Sequence, residues 1–398
     1  MSRDARAGTP MPLDGITVVD FGQYIAAPGA TQTLADLGAE VVKVESPAGD
    51  QARGVGTYGH AIMRAYNRRK KSVVLDLRDP AGVAEARRLV ARADVVVQNL
   101  RPGAMARLGL SNEVLRELNP SVIIAEVTGF GTDGPSRDRP GLDIAAQAES
   151  GLMSVTGEPD RAPQRVGVPV VDHVAASVLA QAILAALFHR ARTGEGDDVS
   201  VSLLDVAIDM QRVNWGEYGL TGRMPTRRGN GQPGAAPAAD IFTTSDGEVV
   251  VSAYTDDKFA ALCGLAARPE LPEDPRFTDN PARVAHRAEL LGALAPYFAT
   301  RTTAVVVREL GAAGIVVGEV RTYDRVLTAG DVLAGGVFAT CTDTDGSTYR
   351  MPALPFTSRH VPRDGDGGTV PGVGEHTADV LVAERTPGPA RAPERSPI

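Results

Sequence analysis

Apolar residues follow two alternating periods over the first third of the chain. β-Branched runs at 16–21, 40–45 (EVVKVE), 72–76, 94–98 and 122–128 alternate with stretches at 27–37, 79–91 and 112–118, where apolar positions recur every three or four residues. The first pattern predicts strands and the second amphipathic helices. Pro28 stands in the first turn of the first helix, where its missing N–H is harmless, and Gly38 closes that helix. Asp79-Pro80 opens the next one. Strand–helix–strand units of this size predict a parallel sheet with right-handed crossovers, and so an α/β fold with a doubly wound sheet.

Further along, the pattern loosens. Gly129, Gly131, Gly134 and Pro135 break any period, so residues 129–141 read as loop. Helices are expected at 143–151 and 174–190, and a strand at 198–203. The stretch 224–239 (MPTRRGNGQPGAAPAA) is rich in glycine and proline and marks a linker or loop. Beyond it lie a hairpin at 241–252 turned at Ser245-Asp246-Gly247, short helices, and a second hairpin turned at Asp345-Gly346. The organisation expected is a flexible N-terminus (1–12), a large domain (13–222), a linker and smaller α+β domain (223–333), a C-terminal return to the large domain (334–380) and a disordered tail (381–398).

Composition removes several function classes. The 398-residue chain has a net charge of −8 and its one basic run, Arg68-Arg69-Lys70-Lys71, is short, so nucleic acid is not an expected partner. Two cysteines, Cys263 and Cys341, form no disulfide framework, and the six histidines are scattered without metal-ligand spacing, so no metal is expected. The apolar run 174–188 contains Ser177, Gln181 and many alanines and reads as a buried helix, not a membrane span. No signal peptide is visible in the polar N-terminus, and a cytoplasmic protein is expected.

Candidate chemistry centres on Asp172, in the run Gly167-Val168-Pro169-Val170-Val171-Asp172-His173. The run predicts a strand-to-helix turn with the carboxylate at the positive end of a helix, a setting that lowers its pKa and keeps it ionised as a nucleophile. An ordinary N-cap is the competing reading. The predicted strand ends add Asp76-Leu77-Arg78, Asn99-Leu100-Arg101-Pro102-Gly103 and Thr128-Gly129-Phe130-Gly131, all on one sheet edge. Two arginines and an asparagine there suit an anionic ligand with amide groups. Arg78 also has a local partner in Asp76 or Asp79, and Asn99 a local role at the Pro102-Gly103 turn. The first βα turn, Phe21-Gly22-Gln23-Tyr24-Ile25-Ala26-Ala27-Pro28, lacks GxGxxG, and the chain has no Walker A motif and no GxSxG elbow.

In order, the segments GITVVDFGQYIAAPGATQTLADLGAEVVKVE, NRRKKSVVLDL, ADVVVQNLRPGAMARLGL, GFGTDGPSRDRPGLDIAAQAESGL, Asp172, RTGEGDDVSVSLLD and GEHT at 374–377 resemble the family III CoA-transferases. That group includes formyl-CoA transferase, carnitine CoA-transferase and the α-methylacyl-CoA racemases. The resemblance implies a Rossmann-like doubly wound large domain, a smaller domain and an interlocked homodimer. It implies no tightly bound cofactor; coenzyme A and acyl-CoA are substrates, with a carboxylic acid as acceptor. Carried over by position, the CoA contacts are Ile25, Ala26, Leu75, Arg78, Asn99, Leu100, Arg107, Phe130 and Gly131, and the catalytic residue is Asp172. Ser46 stands where some members carry a phosphate-binding arginine, with Arg53 as a substitute, and Gly229-Asn230-Gly231-Gln232-Pro233-Gly234 resembles a glycine loop that covers intermediates.

The implied mechanism is covalent. Asp172 attacks the thioester, a mixed anhydride forms, and the released thiolate converts it to an aspartyl-CoA thioester that an acceptor carboxylate then resolves. Amides near Gly131 or in the glycine loop are the expected oxyanion donors. The racemase alternative needs a histidine after the glycine of the GxD motif, and here that motif reads Gly141-Leu142-Asp143. A non-catalytic acyl-CoA-binding paralogue is the other alternative, and Asp143 is expected to be a helix cap.

Overall fold

A computed structural model describes residues 10–231, 239–361 and 366–383. Six strands, β1 (Thr17–Asp20), β2 (Glu40–Glu45), β3 (Lys71–Val74), β4 (Val95–Gln98), β5 (Ile123–Thr128) and β6 (Asp197–Ser202), form one sheet in the order β3-β2-β1-β4-β5-β6. Every pairing in it is parallel. This is the strand order of a doubly wound sheet, and such sheets hold ligands where the order reverses, outside the carboxyl ends of β1 and β4. Valines dominate the central strands because both faces are covered. On one face Val19, Val42, Val73 and Val96 pack with Leu89, Val90, Leu115 and Val380.

The helices along this part of the chain are α1 (Ala26–Asp36), α2 (Gly56–Tyr66), α3 (Pro80–Arg92), α4 (Ala104–Arg107), α5 (Asn112–Leu118), α6 (Asp143–Glu149), α7 (Leu152–Val155) and α8 (Val170–Thr193). Asp79 caps α3 through Ala81 N–H at 3.0 Å, with Pro80 in the first turn as the sequence predicts. The longest, α8, has 24 residues and is apolar enough by length and hydropathy to cross a bilayer. Its buried face, including Ala175, Leu179 and Ile183, packs on α1 within this unit. Gly29 on α1 makes the approach possible, since a Cβ there would sit 2.8 Å from Ala176 Cβ and 3.2 Å from the Tyr66 ring.

The chain divides into two compact units, one of residues 1–150, 167–212 and 331–398, the other of 151–166 and 213–330. The second unit carries an antiparallel sheet of β7 (Asp240–Thr243), β8 (Glu248–Ser252) and β9 (Val316–Glu319) over a core of Phe242, Phe259, Leu262 and Phe298. Residues 151–166 group with it because Gly157 O accepts from Gly229 N–H and Arg227 binds the carbonyls of Glu158 and Arg161. The chain then returns to the first unit as β10 (Phe338–Thr342), β11 (Thr348–Pro352) and β12 (Asp366–Thr369). Residues 381–383, expected in a disordered tail, instead close the helix Thr377–Ala383, which Val380 anchors in the core. Residues 1–9 of the expected flexible N-terminus and 384–398 of the tail lie outside the described residues.

Candidate active site

The sheet's switch point is stitched by polar side chains. Asn99, at the end of β4, accepts from Gln23 N–H at 2.8 Å and donates to Gln23 O at 2.9 Å, spanning the gap to the first βα turn. It therefore does not serve the Pro102-Gly103 turn. Behind the turn lies a band of buried charge. Lys43 donates to Gly22 O at 2.7 Å and pairs with Asp50 at 2.8 Å, and Asp50 in turn accepts from Tyr24 N–H at 3.3 Å. Asp20 accepts from Gly22 N–H, Thr31 Oγ1 and Lys70 Nζ. These contacts hold Tyr24 at a φ of 61°, a left-handed conformation that costs a tyrosine free energy.

Asp172 departs from its sequence reading in two ways. The segment Val170-Val171 is not a strand: α8 begins at Val170, so Asp172 lies in its first turn. The residue before α8, Pro169, gives no side-chain cap. Instead Asp143 Oδ2, carried on α6, accepts from Val171 N–H at 2.8 Å and Asp172 N–H at 3.3 Å, while its Oδ1 accepts from Gln147 at 2.5 Å. Asp143 is thus a helix cap, as expected, but for a helix 27 residues onward rather than its own. The glycine pair Gly129 and Gly141 delivers it there, since a Cβ on Gly129 would lie 2.5 Å from Gly141 Cα.

The second departure is electrostatic. The Asp172 carboxyl is pushed up to about 7, by burial first and by the Asp143 charge second. The sequence reading placed it below the usual carboxylate range, on the strength of the helix dipole. The terminal amides that would express that dipole are spent on Asp143, and the half-buried Asp172 carboxyl pays the desolvation uncompensated. Among the described residues its oxygens have no hydrogen-bond or ion-pair partner. Beside it, the Tyr66 hydroxyl lies 3.5 Å from His173 Nδ1. Burial, and then the Asp172 charge, push that phenol up to about 12. Neither Tyr66 nor the Asp143 cap was legible as a neighbour of Asp172 from spacing alone.

The other expected site residues divide by accessibility. Ile25 and Ala26 open α1 with no side-chain cap, and their side chains are buried, so the turn offers a ligand its backbone. Leu75 and Phe130 are also buried, with the Arg139 guanidinium 4.6 Å over the Phe130 ring. Arg78 and Arg107 share a groove of about 570 Å³ with Leu77, Val83 and Arg87. Arg78 spends its fork on Asp76 (2.9 and 2.8 Å), the local partner that the sequence offered, whereas Arg107 pairs with no carboxylate among the described residues. Leu100 and Gly131 line a second groove of about 400 Å³ with Gln98, Arg101, Thr128 and Arg137. Asp172 lines neither groove.

Two subsidiary expectations change, and a third falls partly outside the described residues. Gly131 N–H is bonded to Thr128 Oγ1 at 3.0 Å and is not free for an oxyanion. Arg53 is committed to both Glu45 oxygens and to Pro371 O, so it ties the C-terminal return to β2 and does not stand in for an arginine at Ser46. Of the glycine loop, Gly229, Asn230 and Gly231 are described, and Gln232, Pro233 and Gly234 lie outside the described residues.

Sheet order places the protein among doubly wound α/β proteins, and its first βα turn lacks the glycine fingerprint of dinucleotide binders. The sequence profile of CoA-transferase family III matches residues 13–377, and the chain belongs to that family. It is 36% identical over 393 residues to a succinate–glutarate CoA-transferase of Agrobacterium fabrum, with 94% of this chain and 96% of that protein covered. A succinyl-CoA–D-citramalate CoA-transferase of Chloroflexus aurantiacus is 35% identical over 383 residues, with 94% of each covered. The crystal structure of a CaiB/BaiF family protein from Brucella suis superposes with a TM-score of 0.85 at 35% identity, covering 94% of this chain and 100% of that one. The protein is therefore an enzyme, a family III CoA-transferase.

Proposed function

We propose that the enzyme moves CoA from an acyl-CoA thioester to a carboxylic acid through covalent intermediates on Asp172. The observation that carries this reading is an aspartate whose side-chain oxygens are left unused at a helix start, because Asp143 performs the capping. A carboxylate pushed up to about 7 by burial is, once ionised, a stronger nucleophile than a solvated one. Its attack on the thioester gives an aspartyl-acyl anhydride and CoA thiolate. Return of the thiolate frees the donor acid and leaves an aspartyl-CoA thioester, from which the acceptor acid takes CoA by the reverse sequence. The relatives are named for the dicarboxylates succinate, glutarate and citramalate, which supports a dicarboxylate acceptor. A panel of CoA esters against mono- and dicarboxylic acids tests that class, and turnover confined to monocarboxylates refutes it.

In this reading CoA lies across the switch point. The backbone of Ile25 and Ala26, Asn99 and Leu100 flank the pantetheine, with Leu75, Phe130 and Gly131 as walls and Arg78 and Arg107 toward the phosphates. Arg107→Ala should raise KM for a CoA ester several-fold with kcat little changed, because it meets the unreacting end of the substrate. Arg78→Ala should do less, since Asp76 already occupies its fork. Equal losses in kcat and KM for Arg107→Ala would remove it from the CoA site. The family resemblance also supports an interlocked homodimer acting in the cytoplasm, which light scattering of the purified enzyme and fractionation of cells test.

Ionisation of Asp172 sets the pH dependence. Values of kcat/KM for a CoA ester should rise with pH to a plateau above about 7. Asp143→Asn keeps a capping oxygen but removes the adjacent negative charge, so the limb should move to lower pH. A limb that stays in place or moves to higher pH would show that Asp143 does not set the charge state of the nucleophile.

A further inference from the structure

The proposed mechanism leaves one charge without a partner. When the Asp172 oxygen bonds to the thioester carbon, the carbonyl π pair moves to oxygen and makes an oxyanion. Collapse re-forms C=O and expels the electron pair with sulfur as thiolate. An oxyanion in a half-buried site needs an oriented donor. Gly131 N–H is taken by Thr128, and the amides of Val171 and Asp172 are taken by Asp143.

One side chain joins the proposed CoA turn to the nucleophile. Tyr66 ends α2, and its ring packs with Tyr24 against the cluster of Ile25, Ala52, Ile62, Met63 and Val370. Ile25 belongs to the first βα turn, so the ring shares the floor of the proposed pantetheine track. Its hydroxyl reaches the start of α8, 3.5 Å from the ring of His173, the residue after Asp172. The absence of a side chain on Gly29 leaves the ring its place between α1 and α8. His173 is exposed and its contact with the phenol is long, so the hydroxyl hydrogen is available to a better acceptor.

We propose that Tyr66 is a catalytic residue of this enzyme, its hydroxyl donating a hydrogen bond to the thioester oxygen as Asp172 attacks. The inference rests on the reading of Asp172 as nucleophile. No proton is transferred in the step. The phenol holds its proton throughout the working pH range because burial and the Asp172 charge push it up to about 12, and it returns to its resting contact when the carbonyl re-forms. The same donor serves the tetrahedral adducts of the anhydride and of the aspartyl thioester, since each carries its negative oxygen next to the same Asp172 carbonyl or acyl carbon.

The test is Tyr66→Phe, assayed with succinyl-CoA and glutarate beside the wild-type enzyme, Asp172→Ala and a variant carrying 3-fluorotyrosine at position 66. The phenylalanine variant should lose about 10²–10³-fold in kcat, the range for removal of one oxyanion donor, with KM for succinyl-CoA within about twofold and an unchanged melting temperature. The fluorotyrosine variant, which retains ring and donor, should keep kcat within about threefold. If Tyr66→Phe turns over at the wild-type rate while Asp172→Ala is dead, the donor role is wrong and the nucleophile stands. Activity in Asp172→Ala refutes the underlying reading instead. A loss shared equally by the phenylalanine and fluorotyrosine variants, or a fall in melting temperature that accounts for the loss, assigns Tyr66 to packing and overturns the proposal.

Discussion

Asp172→Asn should abolish CoA transfer and at the same time stabilise the fold. The amide cannot form the anhydride, so kcat should fall by about 10⁴-fold or more, leaving only what binding alone provides. The stability gain follows from linkage. In the folded protein the carboxyl is raised to about 7 from an ordinary value of 3.8, so the folded state binds the proton more tightly than the unfolded chain does. The native state therefore carries no penalty below pH 3.8, loses stability as pH rises toward 7 and bears the whole cost above it. That cost is at most about 4 kcal/mol, and asparagine removes it. Urea unfolding at pH 5 and pH 9 reads the difference: the variant's advantage should be larger at the higher pH. An advantage that shrinks with rising pH would mean that the carboxyl is not held in the proton-binding state described here.

The largest loss of stability should come from Asp20→Ala. Asp20 and Lys70 both have fully buried side chains, and the pair is 2.9 Å apart. Burial alone would raise the Asp20 carboxyl, but the ammonium groups of Lys70 and Lys43 and the Thr31 hydroxyl outweigh it and hold the acid below its usual range. Removing the carboxylate takes away the anion paired with the buried Lys70, while Lys43 keeps its pair with Asp50. A buried pair broken on one side costs about 3–5 kcal/mol, and this one also releases the bond to Gly22 N–H that shapes the first βα turn. The midpoint of urea unfolding at pH 7 should drop with the denaturant slope unchanged. A change below about 1 kcal/mol would show that water reaches the lysines and that the band is not dry. Because Asp20 is held low, its contribution is present above the unfolded value of 3.8 and fades only as pH falls through the folded one, so neutral pH reads it in full.

The sheet was legible because its strands are runs of valine and isoleucine separated by helices with ordinary stop signals, Gly38 and Asp79-Pro80. Helix α2 was not: GTYGHAIMRAY carries two glycines, Gly56 and Gly59, which weaken its local helix signal, and it is held by tertiary packing of Ile62 and Met63. The start of α8 was misplaced for a related reason. Pro169-Val170-Val171 reads locally as extended chain, and the group that caps the helix comes from α6. Long-range capping leaves no trace in a local window, so the direction of the Asp172 shift was misread along with the boundary. Arg78 and Asp76 could be paired from their spacing, whereas Asn99 and Gln23 meet only once the order of β1 and β4 is known. The family motifs pointed to Asp172 and the sheet edge. They could not say which arginine was already engaged or that Gly131 had given its amide to Thr128.

Covalent bonding of substrate to Asp172 is the claim on which the mechanism rests, and chemical trapping reads it directly. The enzyme incubated with succinyl-CoA and quenched with hydroxylamine should yield, on digestion and mass spectrometry, a hydroxamate at Asp172 that is absent without the CoA ester. Transfer of CoA to glutarate with no modification of that residue, or with the label on another side chain, would contradict it.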